Sequence, residues 1–253
     1  MSTLTSLHAK LAPVLPIVVC LLLWEGLARG FGSTRSVLPP VSSVLLDAVA
    51  NHQTLARGVA RTLTETSLGF VAGAAFGFLA GALFAQAPVI ERMFLPLFIL
   101  SQTVPVVAFG AVIIIWFGNG ILAKVIIAFY LTFFPVTVNT HRGLLGADIQ
   151  CVNLLKSFGA SSWTLFWRLR VPAALPSIMA SLLLGISLSL IGAIVGEWFG
   201  DTVGLGVLLI QAMYAEDMVR LWTIIFCCGL LGSALYGALA WVARRYVWWG
   251  RDI

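Results

Sequence analysis

Charge is what this chain has least of. Lys, Arg, Asp and Glu make up only 10% of its 253 residues, against roughly 25% in soluble domains. With 60% of the residues hydrophobic, that deficit excludes an ordinary soluble domain and points to a membrane protein. Evenly spaced, alternating short apolar segments are missing too, which argues against a β-barrel. The four cysteines, Cys20, Cys151, Cys227 and Cys228, lack C-x-x-C spacing, and no histidine stands beside the adjacent pair. They read as small apolar residues, with neither a zinc site nor a disulfide framework implied. The phosphate-cradling pattern G-x4-G-K-[ST] does not occur, so the chain is not expected to bind ATP itself. Its net charge of +5 comes from basic residues scattered between apolar blocks, a pattern of membrane topology rather than of nucleic-acid binding.

What is present is a series of long apolar runs. A helix needs about 20 apolar residues to cross a bilayer core roughly 30 Å thick. Six runs qualify, near 11–29, 67–86, 93–117, 121–140, 175–196 and 221–243, so residues 1–253 read as one all-α transmembrane domain. The first is interrupted by Pro13, Pro16 and Glu25, and no small-x-small cleavage site marks it as a signal peptide. Lys124, near the start of the fourth, is expected to snorkel to the interface. With the N-terminus inside, nine basic residues fall on the cytoplasmic side (Lys10, Arg92, Arg142, Lys156, Arg168, Arg170, Arg244, Arg245 and Arg251). Six fall outside (Arg29, Arg35, Arg57, Arg61, Lys124 and Arg220), a modest bias toward both termini being cytoplasmic. The four arginines following the first run are discordant with it.

Several patterns lie within or beside these runs. The outer segment, about 38–66, carries an apolar stripe at Val41, Val44, Leu45, Ala48 and Val49 and reads as a helix lying on the membrane surface. Leu55, Val59 and Leu63 continue at spacing four, beside a charged ladder of Arg57, Arg61 and Glu65. Gly69, Gly73, Gly77 and Gly81 share one helix face, where a neighbouring backbone can approach closely. Gly229, Ser233 and Gly237 make a similar face on the last run. Ser101, Gln102, Thr103 and Pro105 place polar groups beside a proline kink at mid-membrane depth. They either line a water-filled path or re-satisfy the kink within the bundle. Glu197, beside Trp198, is either a solvated interfacial carboxylate or part of an outer gate. Asp201, Glu216 and Asp217 follow it as candidate outer contacts.

Residues 141–174 interrupt the apolar pattern with "LLKSFGASSWTLFWRLRVPAALP", which begins at Leu154 and runs on to Pro176. Val152, Leu154, Leu155 and Phe158 share a face, and Gly159 suits a left-handed helix stop. Ser161 or Ser162 then caps a second short helix from Trp163 toward Arg170, closed by Pro172 and Pro176. Such a knuckle, with Phe158, Trp163 and Phe166 exposed and Lys156, Arg168 and Arg170 basic, needs a cover. Either the membrane surface or a partner with a hydrophobic groove supplies one.

Here the chain resembles the ABC importer permeases, whose cytoplasmic loop follows E-A-A-x3-G-x9-I-x-L-P. Gly159 and Leu169-x-Val171-Pro172 match its second half, while Asn153, Leu154 and Leu155 stand at the E-A-A positions and depart from it. The stretches "LPPVSSVL", "RTLTETSLGF", "QTVPVVAFGAVIIIWFGNG", "FFPVTVNT", "GAIVGEWFG" and "GLGVLLIQA" look like the branch that moves nitrate, sulfonates, taurine and pyrimidine- or riboflavin-type precursors. The resemblance implies a type I importer permease of the bacterial inner membrane. It implies a coupling helix built from Leu155, Lys156, Phe158, Gly159, Ala160, Ser161, Trp163, Arg168 and Pro172. It also implies a second permease copy, two ATPase subunits that bind ATP and Mg, and a periplasmic or lipid-anchored solute-binding protein. Two rivals predict features not found in the sequence. A secondary transporter calls for internal repeats or paired midplane charges. An intramembrane hydrolase using the serines of "GASS" needs a base nearby, but His8, His52 and His141 all precede them.

Overall fold

The structure, a computed structural model, describes residues 14–30 and 37–249. Lys10, His8, Pro13, Arg35 and Arg251 lie outside the described residues. The described chain is helical throughout: α1 (Val14–Gly30), α2 (Val41–Ala50), α3 (His52–Gln86), α4 (Pro88–Ser101), α5 (Val106–Phe117), α6 (Ile121–Leu145), α7 (Ile149–Ser157), α8 (Ser162–Leu165), α9 (Val171–Glu197), α10 (Leu205–Tyr214) and α11 (Met218–Tyr246). A π turn, Phe166–Arg170, joins α8 to α9.

Three helices, α3, α6 and α9, form the centre. Apolar side chains gain nothing by leaving lipid for one another, so helices associate in a membrane through close packing and hydrogen bonds. Gly69, Gly73, Gly77 and Gly81 are buried against α6, where an added Cβ would come under 3.0 Å from Ala128, Thr132, Phe133 and Thr137 respectively. On the other side of α6, Gly192 of α9 is as tight against the Ala128 backbone. Thr132 Oγ1 donates to Ala128 O at 2.8 Å and lies 3.3 Å from Gly185 O. Ser189 Oγ donates to Thr66 O at 2.8 Å, tying α9 to α3.

The order of these contacts fixes direction. Along the α3–α6 seam residue numbers rise together, from Gly69 on Ala128 to Gly81 on Thr140, so the two helices are parallel. Along α6–α9 they run oppositely, from Gly192 at Ala128 to Ser177 at Asn139 and Gly143. Parallel α3 and α6 require the chain between them to return across the membrane, and only α4 and α5 lie there. Each alone spans about 20 Å, too short for the membrane core. Together they make one broken crossing, bent by 98°.

That bend replaces the single kinked span expected over 93–117. Pro105 offers no N–H and disfavours helical geometry at Val104. The last turn of α4 tightens into i→i−3 bonds, Gln102 N to Ile99 O, Thr103 N to Leu100 O and Val104 N to Ser101 O. α5 restarts with Phe109 N on Pro105 O. Four helices are long and apolar enough to cross, the broken pair adds a fifth crossing, and α1 contributes 17 described residues. The surface segment is helical as expected, with Val44 buried and Leu45, Leu46 and Val49 exposed.

Other expectations change here. α6 runs on to Leu145, burying Thr140, His141 and Leu144, so the long loop shrinks to the residues between Leu145 and Ser162. Gly229, Ser233 and Gly237 make no tight seam among the described residues; they are exposed, and no described atom lies within 4 Å of a Cβ at either glycine. α11 instead packs through Ile224, Cys227 and Leu231 near one end and Ala243 near the other.

Gly73→Ile and Gly77→Ile push branched side chains into the α6 backbone, a cost of about 2 kcal/mol or more each. Thermal unfolding in detergent should fall by about 5 °C for each. Gly237→Ile, which meets open space, should leave it nearly unchanged.

Candidate functional site

The bundle has two ends with different chemistry. At one, the α3–α4 turn, the knuckle and the end of α11 come together. At the other, the starts of α2, α6, α10 and α11 gather around the end of α9.

The knuckle is built from local signals. Asp148 caps α7 by accepting from Gln150 N at 2.8 Å, and Val152 turns the helix onto the bundle. α7 ends where Ala160 N donates to Leu155 O and Gly159 N to Lys156 O, the paired bonds of a left-handed helix stop. Gly159 has φ of +79°, which costs any other residue about 1–2 kcal/mol. Ser161 caps the next helix by accepting from Thr164 N at 3.2 Å, so its hydroxyl is engaged structurally rather than poised as a nucleophile. Phe158 and Trp163 stand 79% and 72% exposed on either side of this elbow, with Leu154 and Trp167 also exposed. Lys156, Ser161 and Arg168 are exposed, whereas Leu155, Ala160 and Pro172 are half-buried.

Two details of the knuckle differ from expectation. Phe166 is not part of the exposed aromatic group; it is buried with Ala82, Leu144 and Ile178. The prolines do not separate the knuckle from the next span either. A continuous helical path of 36 residues runs from Ser162 to Glu197. The π turn before Val171 widens the backbone spacing where Pro172 cannot donate, so the helix passes through without a break. The Pro172 carbonyl, left without a helical donor because Pro176 has no N–H, accepts from Trp249 Nε1 at 3.2 Å.

At the break between α4 and α5, most polar side chains serve the backbone. Ser101 Oγ donates to Phe98 O and Thr103 Oγ1 to Leu100 O. The Tyr130 hydroxyl donates to Ser101 O, and its ring stacks on Phe109 at 4.0 Å. The Gln102 amide nitrogen is left without a hydrogen-bond partner, and Thr103 and Pro105 face out of the chain.

The opposite end holds a charged knot that sequence reasoning did not assemble. Lys124 does not snorkel; it is fully buried, with Nζ 3.1 Å from Asp201 Oδ2 and bonded to Asn119 Oδ1. Glu197 is not a solvated carboxylate; it is 1% exposed. Its Oε1 accepts from Thr62 Oγ1 at 2.6 Å and its Oε2 from Gly206 N at 2.6 Å. Thr62 Oγ1 in turn accepts from Leu205 N, so α3 and α9 together grip the first turn of α10. Gly204, at φ +154°, lies so close that a Cβ would collide with the Glu197 carboxyl. Arg61 pairs with buried Glu65 at 2.8 Å and reaches Asp201 at 3.4 Å. Asp201 is therefore an internal partner rather than an outer contact, while Glu216 is exposed and Asp217 caps α11 through Arg220 N. Burial opposes ionisation of Asp201, yet the Thr202 N–H, Lys124 and Arg61 hold its carboxyl below the ordinary range. The "GLG" at 204–206 and a lysine inside an apolar run were the readable traces of this knot.

Removing one partner of a buried pair strands the other, at about 3–5 kcal/mol. Lys124→Met should therefore markedly lower the unfolding temperature in detergent, and Lys124→Met/Asp201→Asn by less than the summed single losses. A depressed carboxyl stabilises fully above its unfolded pKa of about 3.9 and loses that contribution as pH falls through the lower folded value. Asp201→Asn should accordingly flatten the acid limb of stability below about pH 4.

The family model described as "Binding-protein-dependent transport system inner membrane component" matches residues 73–248. A probable ABC transporter permease protein of Haemophilus influenzae is 29% identical, covering 94% of this chain and 97% of its own length. The formylaminopyrimidine transport permease protein ThiX of Halalkalibacterium halodurans is 34% identical over 92% of this chain and 93% of its own. The taurine transport system permease protein TauC of Escherichia coli is 28% identical over 80% of this chain and 77% of its own. Among solved structures, an inward-facing conformation of the MetNI methionine ABC transporter superposes with a TM-score of 0.69 at 17% identity, covering 78% of this chain and 97% of that one. With a shared bundle, a knuckle in the matched region and relatives aligned over nearly the full chain, this protein belongs to the family of binding-protein-dependent transport system inner membrane components, the ABC transporter permeases.

Proposed function

We propose that this permease imports a small organic solute by alternating access, driven by ATP that separate subunits bind with Mg and hydrolyse. Two copies of the chain form the pathway, and a solute-binding protein delivers substrate to the charged-knot end. The knuckle end faces the bacterial cytoplasm, with both termini on that side. The substrate belongs to the nitrate, sulfonate, taurine and nitrogen-heterocycle precursor group, and the heterocyclic precursors are favoured. A relative named for formylaminopyrimidine transport at 34% identity, beside one named for taurine at 28%, supports that lean.

The orientation draws support from how the cations are used. At the charged-knot end Arg29, Arg61, Lys124 and Arg220 are each paired with a carboxylate. At the knuckle end Arg92, Arg142, Lys156, Arg168, Arg170, Arg244 and Arg245 have no acidic partner among the described residues. Of the discordant outer arginines, Arg29 and Arg61 are thus neutralised inside the protein while Arg57 has no acidic partner among the described residues, and most of the free positive charge lies where cytoplasmic retention favours it.

One observation carries the mechanism. The exposed Phe158–Trp163 elbow is the root of the same helical rod that ends in Glu197, about 54 Å away. A partner groove that grips the elbow moves a lever whose far end holds α10 through Glu197 and Thr62. Gly159 sets the elbow's angle, the two aromatics fill the groove and Lys156 and Arg168 orient it. Gln102, whose buried amide nitrogen has no hydrogen-bond partner at the break, is the polar side chain proposed to meet solute as the path opens, with Ser101, Thr103 and Pro105 shaping it and Glu197 bracing its outer end.

Gly159→Leu should insert normally and unfold only a few degrees below the wild type, but uncouple ATP hydrolysis from transport in vesicles reconstituted with ATPase and loaded binding protein. Retained coupling there refutes the lever. Trp163→Ala should weaken ATPase association by about 30-fold, as loss of a central aromatic anchor does.

A further inference from the structure

A second feature of the knuckle end faces the membrane rather than a motor. Between the α3–α4 turn and the root of α9 lies a cavity of about 340 Å³, lined by Gln86, Pro88, Lys156, Ser162, Phe166 and Arg170 among others. No carboxylate lines it, and neither Lys156 nor Arg170 has an acidic partner among the described residues. Two cations facing one cavity without a counter-ion make it complementary to an anion. Ser162 adds a hydroxyl to the lining.

Two observations support headgroup depth for this cavity. Trp249, whose indole donates to Pro172 O two residues beyond Arg170, and exposed Tyr246 and Trp248 make an aromatic cluster of the kind that marks a membrane interface. Beside the same α3–α4 turn an apolar groove of about 350 Å³ runs between the two helices, walled by Leu79, Leu83, Phe84, Ile90, Phe94 and Phe98 among others. A polar cationic cup next to an oily groove matches a molecule with a phosphate at one end and an acyl chain at the other.

We propose that this permease holds one anionic phospholipid per chain, its phosphate between Lys156 and Arg170 and an acyl chain along the α3–α4 groove. Charged contacts to an anionic headgroup contribute about 1 kcal/mol each, so losing both cations predicts about 30-fold weaker binding. The bound lipid wedges the knuckle root against the α3–α4 turn and stiffens the seat from which Phe158 and Trp163 project. This site shares Lys156 with the proposed ATPase contact, but lipid binding is measured without ATPase, so the two readings fail separately.

The test uses the full chain in mild detergent, titrated with phosphatidylglycerol, phosphatidylcholine or inorganic phosphate, with native mass spectrometry and thermal unfolding as readouts. One tightly retained phosphatidylglycerol per chain is expected, bound at least tenfold better than phosphatidylcholine, with no stabilisation by millimolar phosphate. Lys156→Gln/Arg170→Gln should lose about 30-fold in phosphatidylglycerol affinity, while charge-preserving Arg170→Lys keeps most of it. Equal retention of the two lipids by the wild-type chain overturns the proposal even if the double variant fails to fold. Stabilisation by phosphate alone also overturns it, assigning a free-anion site. So does a double variant that binds phosphatidylglycerol normally yet loses ATPase, which assigns the cations to a protein partner.

Discussion

Everything in this fold hangs from the close approach of three backbones around Ala128. Gly69 presses on it from α3 and Gly192 from α9, and the seam continues as Gly73, Gly77 and Gly81 of α3 pack against α6. Lipid gives apolar side chains no reason to prefer one another, so contact at this range has to come from residues without side chains. Once α3 and α6 are locked parallel, the remaining topology has little freedom. The short pair α4 and α5 must carry the chain back, and the sharp break at Pro105 lets two short helices do so.

The same seam lets the charged end exist. Lys124, Glu65 and Glu197 are buried where charge is costly, and they persist because α3, α6 and α9 bring opposite charges and donors together at one point. The knot is a junction rather than an ornament: Glu197 ends the rod that starts at the knuckle, and its carboxylate holds the first turn of α10. The exposed elbow at one end and the gripped short helix at the other are thus linked by one helical path that passes through the π turn at Phe166–Arg170.

Local chemistry was legible in the sequence; meetings between distant residues were not. A glycine every four residues on α3 stated that a neighbour could come close, and Gly159 between two short amphipathic stretches stated an elbow. The identical logic found no partner at Gly229 and Gly237, because small residues permit an approach without naming the neighbour, and none among the described residues takes it. Lys124, Glu197 and Asp201 read as interfacial since their partners lie far along the chain; Thr62 and Glu197 are 135 residues apart. Pro105 announced a kink, but its angle depends on where α6 holds α5. Pro172 read as a helix end because a π turn that absorbs the missing donor leaves no sequence mark.

Lever motion is most directly seen as distances between spin labels. The four free cysteines are first replaced, and labels are placed at Asn153, exposed on the knuckle but outside the proposed ATPase contact, and Thr202 of the same chain or at Asn153 of both copies in the assembled transporter. On ATP binding, the distance within one chain should stay constant while the distance between the two knuckles shortens. A change within the chain, or knuckles that keep their separation as ATP binds, would contradict a rigid rod driven from the elbow.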